Sequence, residues 1–270
     1  MMKQYAHTDR ITAELVTKGL RTAFIGHPVD YLPSTPSTNI IAQKLAREGA
    51  AEGTVVVTDY QTQGRGRLER KWLSSPGKDL LFSVILRPRL VPAQAFQVTL
   101  IASLAVARAI RQETGLEALI KWPNDIYIRG KKVSGILTEL GMCGGTLTFA
   151  IVGIGINSNS DPSLCPEIQG KATSLRIEAG RPVARLPLLA MVLELLERFY
   201  VRLEHGEFTA LKAMWDALSL IKDKKVTLSC GEEMHEGIAE AVTDDGVLIT
   251  RDRDGRRHSF IVGDVSLSLK

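Results

Sequence analysis

The sequence predicts an α+β fold: a mixed, largely antiparallel sheet with flanking helices, followed by a small C-terminal β-barrel. The first observation behind this prediction lies in residues 119–156, where apolar strand patterns follow one another through short turns, as in an antiparallel meander. Two stretches, 93–113 and 186–204, have apolar residues at helical spacing. From Val226 onward, short strand patterns alternate with turn-forming residues, which is typical of a small barrel.

The first half of the chain alternates helices and strands. The patterns predict, in order, a helix near Ile11–Leu20, an extended stretch through Pro28 and Pro33, a helix at Ile40–Glu48, strands at Thr54–Thr58 and Leu80–Leu86, and a helix at 93–113. Ser37 or Thr38 is placed to cap the N-terminus of the second helix, and Gly49 to end it. A helix N-terminus also favours anions and polar ligand groups, so capping and ligand binding both remain open for Ser37, Thr38 and Asn39.

The second half contains the meander and two late helices. Pro123 interrupts the strand that begins at Leu119, and the strand is predicted to resume at Ile126–Ile128 before a turn at residues 129–132. The elements that follow are strands at Val133–Leu140 and Thr146–Ile156, and helices at Leu186–Glu204 and Glu207–Leu218 that are expected to cover the sheet. The pattern changes at Lys222–Lys225, so we expect two domains, 1–222 and 223–270.

Composition excludes several classes of protein. With 270 residues, 44% of them hydrophobic, and a net charge of +4, the chain can fill a core and does not require nucleic acid as a partner. The three cysteines are far apart and the five histidines are isolated. Neither a disulfide framework nor a metal site made by the protein alone is therefore indicated, and reduced cytoplasmic thiols are the simplest interpretation. No apolar run approaches about 18 residues and no basic-then-apolar leader begins the chain, so we expect neither a membrane span nor a signal peptide.

A glycine- and arginine-rich segment, Gln61–Trp72, directly follows the predicted strand Thr54–Thr58. Gly64 and Gly66 allow backbone N–H groups to approach a ligand closely, and the arginines offer forked donors to carboxylate or phosphate. A solvated basic surface loop is the alternative. Because loops at strand ends are where binding residues concentrate, we interpret the segment as an anion-binding loop.

Polar residues at strand ends, turns and helix starts are expected to share one cleft. They are Ser37, Thr38, Asn39, Gln61, Arg65, Arg67, Arg70, Asn124, Asp125, Lys132 and Asn157. The sequence offers neither a Ser/His/Asp arrangement nor an obvious carboxylate pair, so general acid–base hydrolysis is poorly supported. Joining a carboxylate to a triphosphate brings two anions together, and fixed cations with backbone amides are what such a reaction requires. The Gly153-Ile154-Gly155 segment lacks the third glycine and the immediate helix of a dinucleotide fold.

At these positions the sequence resembles the biotin protein ligases. The motifs that carry the resemblance, in the family's order, are the Gly64–Arg67 loop, Lys121-Trp122-Pro123-Asn124-Asp125, Gly153-Ile154-Gly155-Ile156-Asn157, Ala172-Thr173-Ser174-Leu175, Gly246-Val247-Leu248 and Gly263-Asp264-Val265. The resemblance implies a catalytic domain like that of the class II synthetases and an SH3-like barrel. It also implies a cytoplasmic homodimer that activates biotin with ATP and Mg²⁺ to biotinoyl-AMP, releases pyrophosphate, and transfers biotin to a lysine of a biotin carboxyl carrier protein domain.

The resemblance further implies roles for individual residues. The implied biotin-binding residues are Ser37, Thr38, Asn39, Gln61, Arg65, Gly66, Arg67 and Lys132. The implied ATP-binding residues are Arg67, Arg70, Trp72, Asn124, Lys132 and Asn157. The implied catalytic residues are Arg65, Arg67, Lys132 and Asp125, the last of which would orient Lys132 or the incoming lysine amine.

Two departures from the family pattern lead to further expectations. Glu69 stands where the family loop usually has a second glycine. Some relatives carry a DNA-binding repressor module, whereas only about a linker's length precedes Ser37, so we expect the monofunctional type without operator-specific DNA binding. Lipoate–protein ligase, which shares the chemistry, is the nearest alternative, and a basic nucleic-acid-binding protein is the alternative from another class. The Gly-Arg-Gly-Arg loop and the Lys-Trp-Pro-Asn-Asp order favour biotin.

Overall fold

Seven strands form the larger of two sheets in the computed structural model, which describes residues 9–230, 233–261 and 263–267. They are β1 (Val29–Leu32), β2 (Val55–Thr58), β3 (Leu80–Leu86), β4 (Leu119–Lys121), β5 (Asp125–Ile128), β6 (Lys131–Cys143) and β7 (Thr146–Ile156). The spatial order is β1-β2-β3-β7-β6-β5-β4. Strands β1 and β2 are parallel and the other neighbouring pairs are antiparallel, which confirms the predicted mixed, largely antiparallel sheet.

Helices cover both faces of this sheet. They are α1 (Ala13–Gly19), α2 (Thr38–Arg47), α3 (Phe96–Thr114), α4 (Leu175–Ala179), α5 (Arg185–Glu204) and α6 (Phe208–Asp216). Successive residues of the strands point to opposite faces, so Val55 and Val57 join the core under α3 and α5, while Val56 joins a smaller cluster under α2. The sheet is therefore buried on both faces at its centre, and α2 delivers its N-terminus to one of them.

Helix α3 owes its apolar character to its central position. Among the described residues, the segment Pro92–Thr114 is long and apolar enough to cross a membrane, but 78% of its most apolar part is buried inside the fold. It lies against β4 to β7 on one side and against α5 and α6 on the other. A core helix with partners on both sides is apolar nearly all round, which explains its composition.

The structure corrects two of the predicted local features. The chain does not resume the same strand after Pro123; it turns back, and β5 pairs antiparallel with β4. Proline has no N–H to continue a strand ladder, so the chain turns at residues 122–124 instead. Lys132 does not lie in the turn, since β6 begins at Lys131 and the reversal is confined to Arg129 and Gly130.

The C-terminal part forms a second, five-stranded antiparallel sheet. Its strands are β8 (Lys225–Cys230), β9 (Glu233–Val242), β10 (Leu248–Arg251), β11 (Arg257–Phe260) and β12 (Asp264–Leu267), in the order β11-β10-β9-β8-β12. The strand patterns predicted after Val226 are confirmed. The turn between β9 and β10 contacts the larger sheet, because Trp122 Nε1 donates a 3.0 Å hydrogen bond to the Gly246 carbonyl.

Candidate functional site

The glycine- and arginine-rich loop, residues 61–72, folds back on itself after β2. Gly66 N donates to the Arg70 carbonyl at 2.7 Å, and Trp72 N donates to the Gly64 carbonyl at 2.9 Å. The tip of the loop is strained, because Leu68 and Glu69 have φ values of 53° and 59°, a left-handed conformation that side chains with a Cβ atom adopt at a cost. The glycine expected at position 69 thus has a conformational reason, and Glu69 occupies its place under strain.

Two adjoining cavities lie on either side of this loop. The inner cavity has a volume of about 230 Å³ and the outer one about 1170 Å³. The loop lines both cavities. They therefore form one cleft, which the side chains from Arg65 to Trp72 divide. Gly263 and Val265 of the C-terminal sheet line the inner cavity, and both sheets therefore contribute to its wall.

Every predicted site residue lies on this cleft. The residues that line the inner cavity are Ser37, Thr38, Asn39, Gln61, Arg65, Gly66, Arg67, Arg70, Trp72, Asn124, Asp125, Lys132 and Asn157. Five elements supply them: the start of α2, the loop after β2, the turn between β4 and β5, the start of β6, and the end of β7. The predicted shared cleft is the arrangement that the fold produces.

A chain of hydrogen bonds organises the closed end of the inner cavity. Thr38 N and Thr38 Oγ1 lie 2.8 and 3.1 Å from Gln61 Oε1, to which both donate. Ser83 Oγ, on β3, lies 2.7 Å from both Thr38 Oγ1 and Asn39 Oδ1. Ser37 occupies the N-cap position of α2 but makes no side-chain capping bond. Side-chain capping therefore does not account for Ser37, and all three residues at the start of α2 lie on the cavity wall.

Glycines make room for the polar groups at the floor of the cavity. A Cβ atom on Gly153 would lie 2.0 Å from Asn39 Oδ1, and one on Gly155 would lie 2.5 Å from the Trp72 ring. Gly135, opposite Gly155 on β6, would bring a Cβ atom to 3.1 Å from both Trp72 and Lys132. The Gly-x-Gly segment on β7 thus lets side chains from other elements pack onto the strand backbone.

Cations and carboxylates meet at the mouth of the inner cavity. Lys132 Nζ lies 2.6 Å from Asp125 Oδ1 and 5.7 Å from the centre of the Trp72 ring. Arg67 donates to Asn124 Oδ1 at 3.2 Å, and Asn124 Nδ2 in turn donates to the Ile136 carbonyl at 2.5 Å. These contacts hold two cations on the wall of one cavity, where they can stabilise negative charge on a ligand.

Asn157 and Trp72 differ in whether the described residues satisfy the hydrogen-bonding groups of their side chains. Asn157 Nδ2 donates to the Thr173 carbonyl at 3.0 Å, which ties the end of β7 to the segment before α4. Trp72 Nε1 is buried without a hydrogen-bond partner among the described residues. A buried indole N–H without a partner is costly, so this donor is suited to an acceptor on a bound molecule.

Several residues of the site were not among those predicted. They are Ser83, Glu139, Gly135, Gly153, Gly155, Asp79, Gly263 and Val265. Ser83 interrupts an otherwise apolar strand and the glycines interrupt strand patterns, so both types had a local signal. Gly263 and Val265 belong to a motif of the resemblance but carried no signal for the cleft, and Glu139 had none, because only tertiary folding brings these residues there.

Asp79, on the wall of the outer cavity, is a buried carboxylate. Burial raises the pKa of the Asp79 carboxyl above its usual value of 3.8, while hydrogen bonds from Ser160, Ser75 and Ser158 act in the opposite direction. Ser158 N donates to Asp79 Oδ1 at 3.0 Å, which connects β3 to the chain beyond β7. In the described part of the chain, Asp79 belongs to no group of three or more His, Cys, Asp or Glu residues that could hold a metal ion.

Comparison with protein families gives two matches. Residues 31–157 match the biotin/lipoate A/B protein ligase family, and residues 224–268 match the biotin protein ligase C-terminal domain. The first match contains the site residues from Ser37 to Asn157, and the second covers the C-terminal sheet.

Comparison with individual proteins also finds ligases. The bifunctional ligase/repressor BirA of Bacillus subtilis is 38% identical over 239 residues, which are 88% of this chain and 73% of that protein. The biotin–[acetyl-CoA-carboxylase] ligase of Paracoccus denitrificans is 32% identical over 231 residues, covering 84% of this chain and 95% of that protein. Among solved structures, the biotin protein ligase of Aquifex aeolicus in complex with biotin and ATP has a TM-score of 0.75 and 31% identity, and the match covers 90% of this chain and 99% of the other.

Proposed function

Because the chain belongs to the biotin protein ligase family, we propose that its cleft holds biotin in the inner cavity and ATP toward the outer one. The enzyme activates biotin with ATP and then transfers it to a protein lysine. In the first step a carboxylate oxygen of biotin attacks the α-phosphorus of ATP, and pyrophosphate leaves. In the second, the lysine nitrogen attacks the acyl carbon, loses a proton, and AMP leaves.

We assign biotin to the inner cavity because uncharged polar groups and cations lie at different ends of that cavity. The closed end holds uncharged hydrogen-bonding groups on Thr38, Asn39 and Gln61, and the mouth holds the cations Arg65, Arg67 and Lys132. Biotin has a neutral, polar ureido head and a carboxylate at the end of its chain. Its two ends therefore match the two ends of the cavity.

The cations at the mouth have an electrostatic role in this proposal. Arg65, Arg67, Lys132 and the N–H of Gly66 surround the carboxylate and the α-phosphate, whose mutual repulsion opposes the reaction. Asp125, 2.6 Å from Lys132 Nζ, orients that ammonium. Arg70, Trp72, Asn124 and Asn157 form the nucleotide side; Arg70, Trp72 and Asn157 line both cavities, and Asn124 lines the inner one.

Mg²⁺ is proposed to enter with the nucleotide. The described residues contain no group of three or more His, Cys, Asp or Glu side chains that could hold a metal ion. Triphosphate oxygens are preferred Mg²⁺ ligands and would supply most of its coordination. No step at the residues named above depends on it.

The proposal also covers the acceptor protein, the oligomeric state and the cellular compartment of the enzyme. The acceptor is a biotin carboxyl carrier protein domain, and the enzyme is a cytoplasmic homodimer. The free thiols of Cys143 and Cys165 suit a reducing compartment. The outer strands β1 and β4 offer sheet edges for assembly. We also propose that residues 1–222 form the ligase domain and 223–270 a separate small domain.

Labelled biotin and labelled lipoate, each supplied with ATP and a carrier domain, provide the test. We expect biotin-dependent exchange of pyrophosphate into ATP, followed by incorporation of biotin, and no comparable incorporation of lipoate. Preferential lipoate transfer would favour the alternative ligase. Absence of pyrophosphate exchange with either acid would contradict adenylate chemistry altogether.

A further inference from the structure

Glu139 connects the closed end of the inner cavity to the loop. Its Oε2 accepts a 2.7 Å hydrogen bond from Asn39 Nδ2, and its Oε1 lies 3.1 Å from a guanidinium nitrogen of Arg65. Only 21% of its side chain is exposed. It lies on β6 on the same face as Leu137, so strand alternation aims it into the cleft. One carboxylate thus contacts a residue proposed for the ureido head and another proposed for the acid end.

The contact with Asn39 determines how that side chain is oriented. A carboxylate can only accept hydrogen bonds, and the Leu137 carbonyl, 3.2 Å from Asn39 Nδ2, can only accept as well. The amide nitrogen must therefore face these two groups. Asn39 Oδ1 is left on the side of Ser83 Oγ, which lies 2.7 Å away.

This orientation leaves Asn39 with one kind of free hydrogen-bonding capacity. Both hydrogens on Nδ2 have acceptors, whereas Oδ1 has two lone pairs and, in the part of the chain that the structure describes, a single neighbouring donor, Ser83. Asn39, which lines the inner cavity, consequently has free acceptor capacity and no free donor. A ligand N–H, such as those of a ureido ring, is the complementary group.

The contact with Arg65 acts at the other end of the cavity. Arg65 is 48% exposed, so its pair with Glu139 adds little to folding stability. The pair nevertheless holds a guanidinium beside the mouth before an anion arrives, which reduces the ordering cost that binding would otherwise carry. Because a guanidinium has five donors, Arg65 can keep Glu139 and still contact a carboxylate.

We infer that Glu139 is a positioning residue for biotin recognition, which sets the Asn39 carboxamide as an acceptor and holds Arg65 at the mouth. The inference rests on the proposed function. Glutamine in its place has almost the same shape but can offer either an oxygen or an NH₂ group, so the Asn39 amide could reverse. Glutamine also carries no charge to hold Arg65.

The test compares Glu139→Gln with a matched control, Glu240→Gln. Glu240 is equally covered, with 22% side-chain exposure, and also binds arginines, at 2.6 Å from Arg251 and 2.8 Å from Arg257, but it lies on the C-terminal sheet. Biotin affinity is measured by calorimetry without ATP, and the KM for ATP and the thermal midpoint are measured alongside. Wild-type biotin binding and pyrophosphate exchange are recorded first, because their absence would count against the proposed function and not against Glu139.

Loss of a charge-assisted hydrogen bond and of pre-positioning should weaken biotin binding by Glu139→Gln about tenfold or more. The KM for ATP and the thermal midpoint should stay close to wild type, and Glu240→Gln should bind biotin normally. Unchanged biotin affinity in Glu139→Gln would overturn the inference, and so would a parallel loss of biotin affinity, ATP affinity and stability. If Glu139→Gln does not fold, Glu139→Asp, which keeps the charge but retracts it, should show the same selective loss for biotin.

Discussion

Lys132 and Asp125 form an ion pair across two neighbouring strands, with Lys132 Nζ 2.6 Å from Asp125 Oδ1. A shift in register makes this pair possible. Ile126 is opposite Ser134, but Tyr127 is opposite Lys132, so Val133 is an extra residue in β6. Such a bulge reverses the face on which the neighbouring side chain lies, and it brings Lys132 onto the cavity face with Gly135.

Replacing Lys132 by alanine should impair adenylate formation far more than stability. Its ammonium lies in an open cleft, and removing a cation from the reacting anions is expected to cost about 2–4 kcal/mol, or roughly 30- to 1,000-fold in rate. Pyrophosphate exchange and thermal unfolding measure the two effects. Lys132→Arg should recover part of the rate, and Lys131→Ala, at the exposed neighbouring position, should change neither. Near wild-type exchange by Lys132→Ala would remove Lys132 from the active site.

Glu69→Gly should stabilise the loop. With φ at 59°, Glu69 has a conformation in which a Cβ atom costs about 1 kcal/mol, and glycine avoids that cost. Urea unfolding should show the gain, and adenylation should be unchanged or modestly faster. Glu69→Ala is the control, because it removes the charge but keeps the Cβ atom and should show no such gain. A loss of activity beyond about tenfold, or 1.4 kcal/mol, would mean that the Glu69 carboxylate assists the reaction.

Gly153→Ala should weaken biotin binding. The new methyl group would lie 2.0 Å from Asn39 Oδ1, so the carboxamide must move away from the cavity floor. We expect a stability loss of about 1–3 kcal/mol, as for overpacked cores, together with reduced biotin affinity in calorimetry. Gly19→Ala is a suitable control because nothing lies within 4 Å of its Cβ position. Equal biotin affinities for the two variants would show that Asn39 is not needed in this position.

The loop should become more resistant to protease when the substrates bind. Its exposed tip has little apolar surface to hold it, whereas bound biotin and ATP would engage several of its cations. Trypsin cleavage between Arg65 and Lys71, followed by mass spectrometry, should therefore slow with biotin plus ATP. Cleavage at the same rate with and without both substrates would contradict ordering by ligand.

Asp79 should make stability depend on pH in a defined direction. Burial raises the pKa of the folded-state carboxyl above 3.8, so the folded protein holds this proton more tightly than the unfolded chain. The contribution of Asp79 is then greatest below that value and is lost as pH rises through the folded pKa. Urea unfolding from acid to neutral pH should show the stability of wild type, relative to Asp79→Asn, falling as pH rises. A relative gain over that range would reverse the assigned direction.

Local patterns in the sequence were sufficient to predict most elements and the membership of the cleft. The strands Leu80–Leu86 and Thr146–Ile156 have the bounds that their apolar runs predicted. The polar residues at strand ends and at the start of α2 all line the inner cavity, because chain reversals bring the ends of neighbouring strands together. The element bounds depend on interactions within a few residues, which a sequence records directly.

Longer-range relationships were decided only by the tertiary structure. Alternation along β6 would have placed Lys132 away from the cavity, and the bulge at Val133 reversed it. Glu139 joined the site through partners on α2 and on the loop. Trp122 connected the turn between β4 and β5 to the C-terminal sheet through Gly246. Sequence alone determined the chemical groups available and the edges where they lie. Their pairing depended on register and on packing between distant segments, because a shift of one residue in a strand changes which face a side chain occupies.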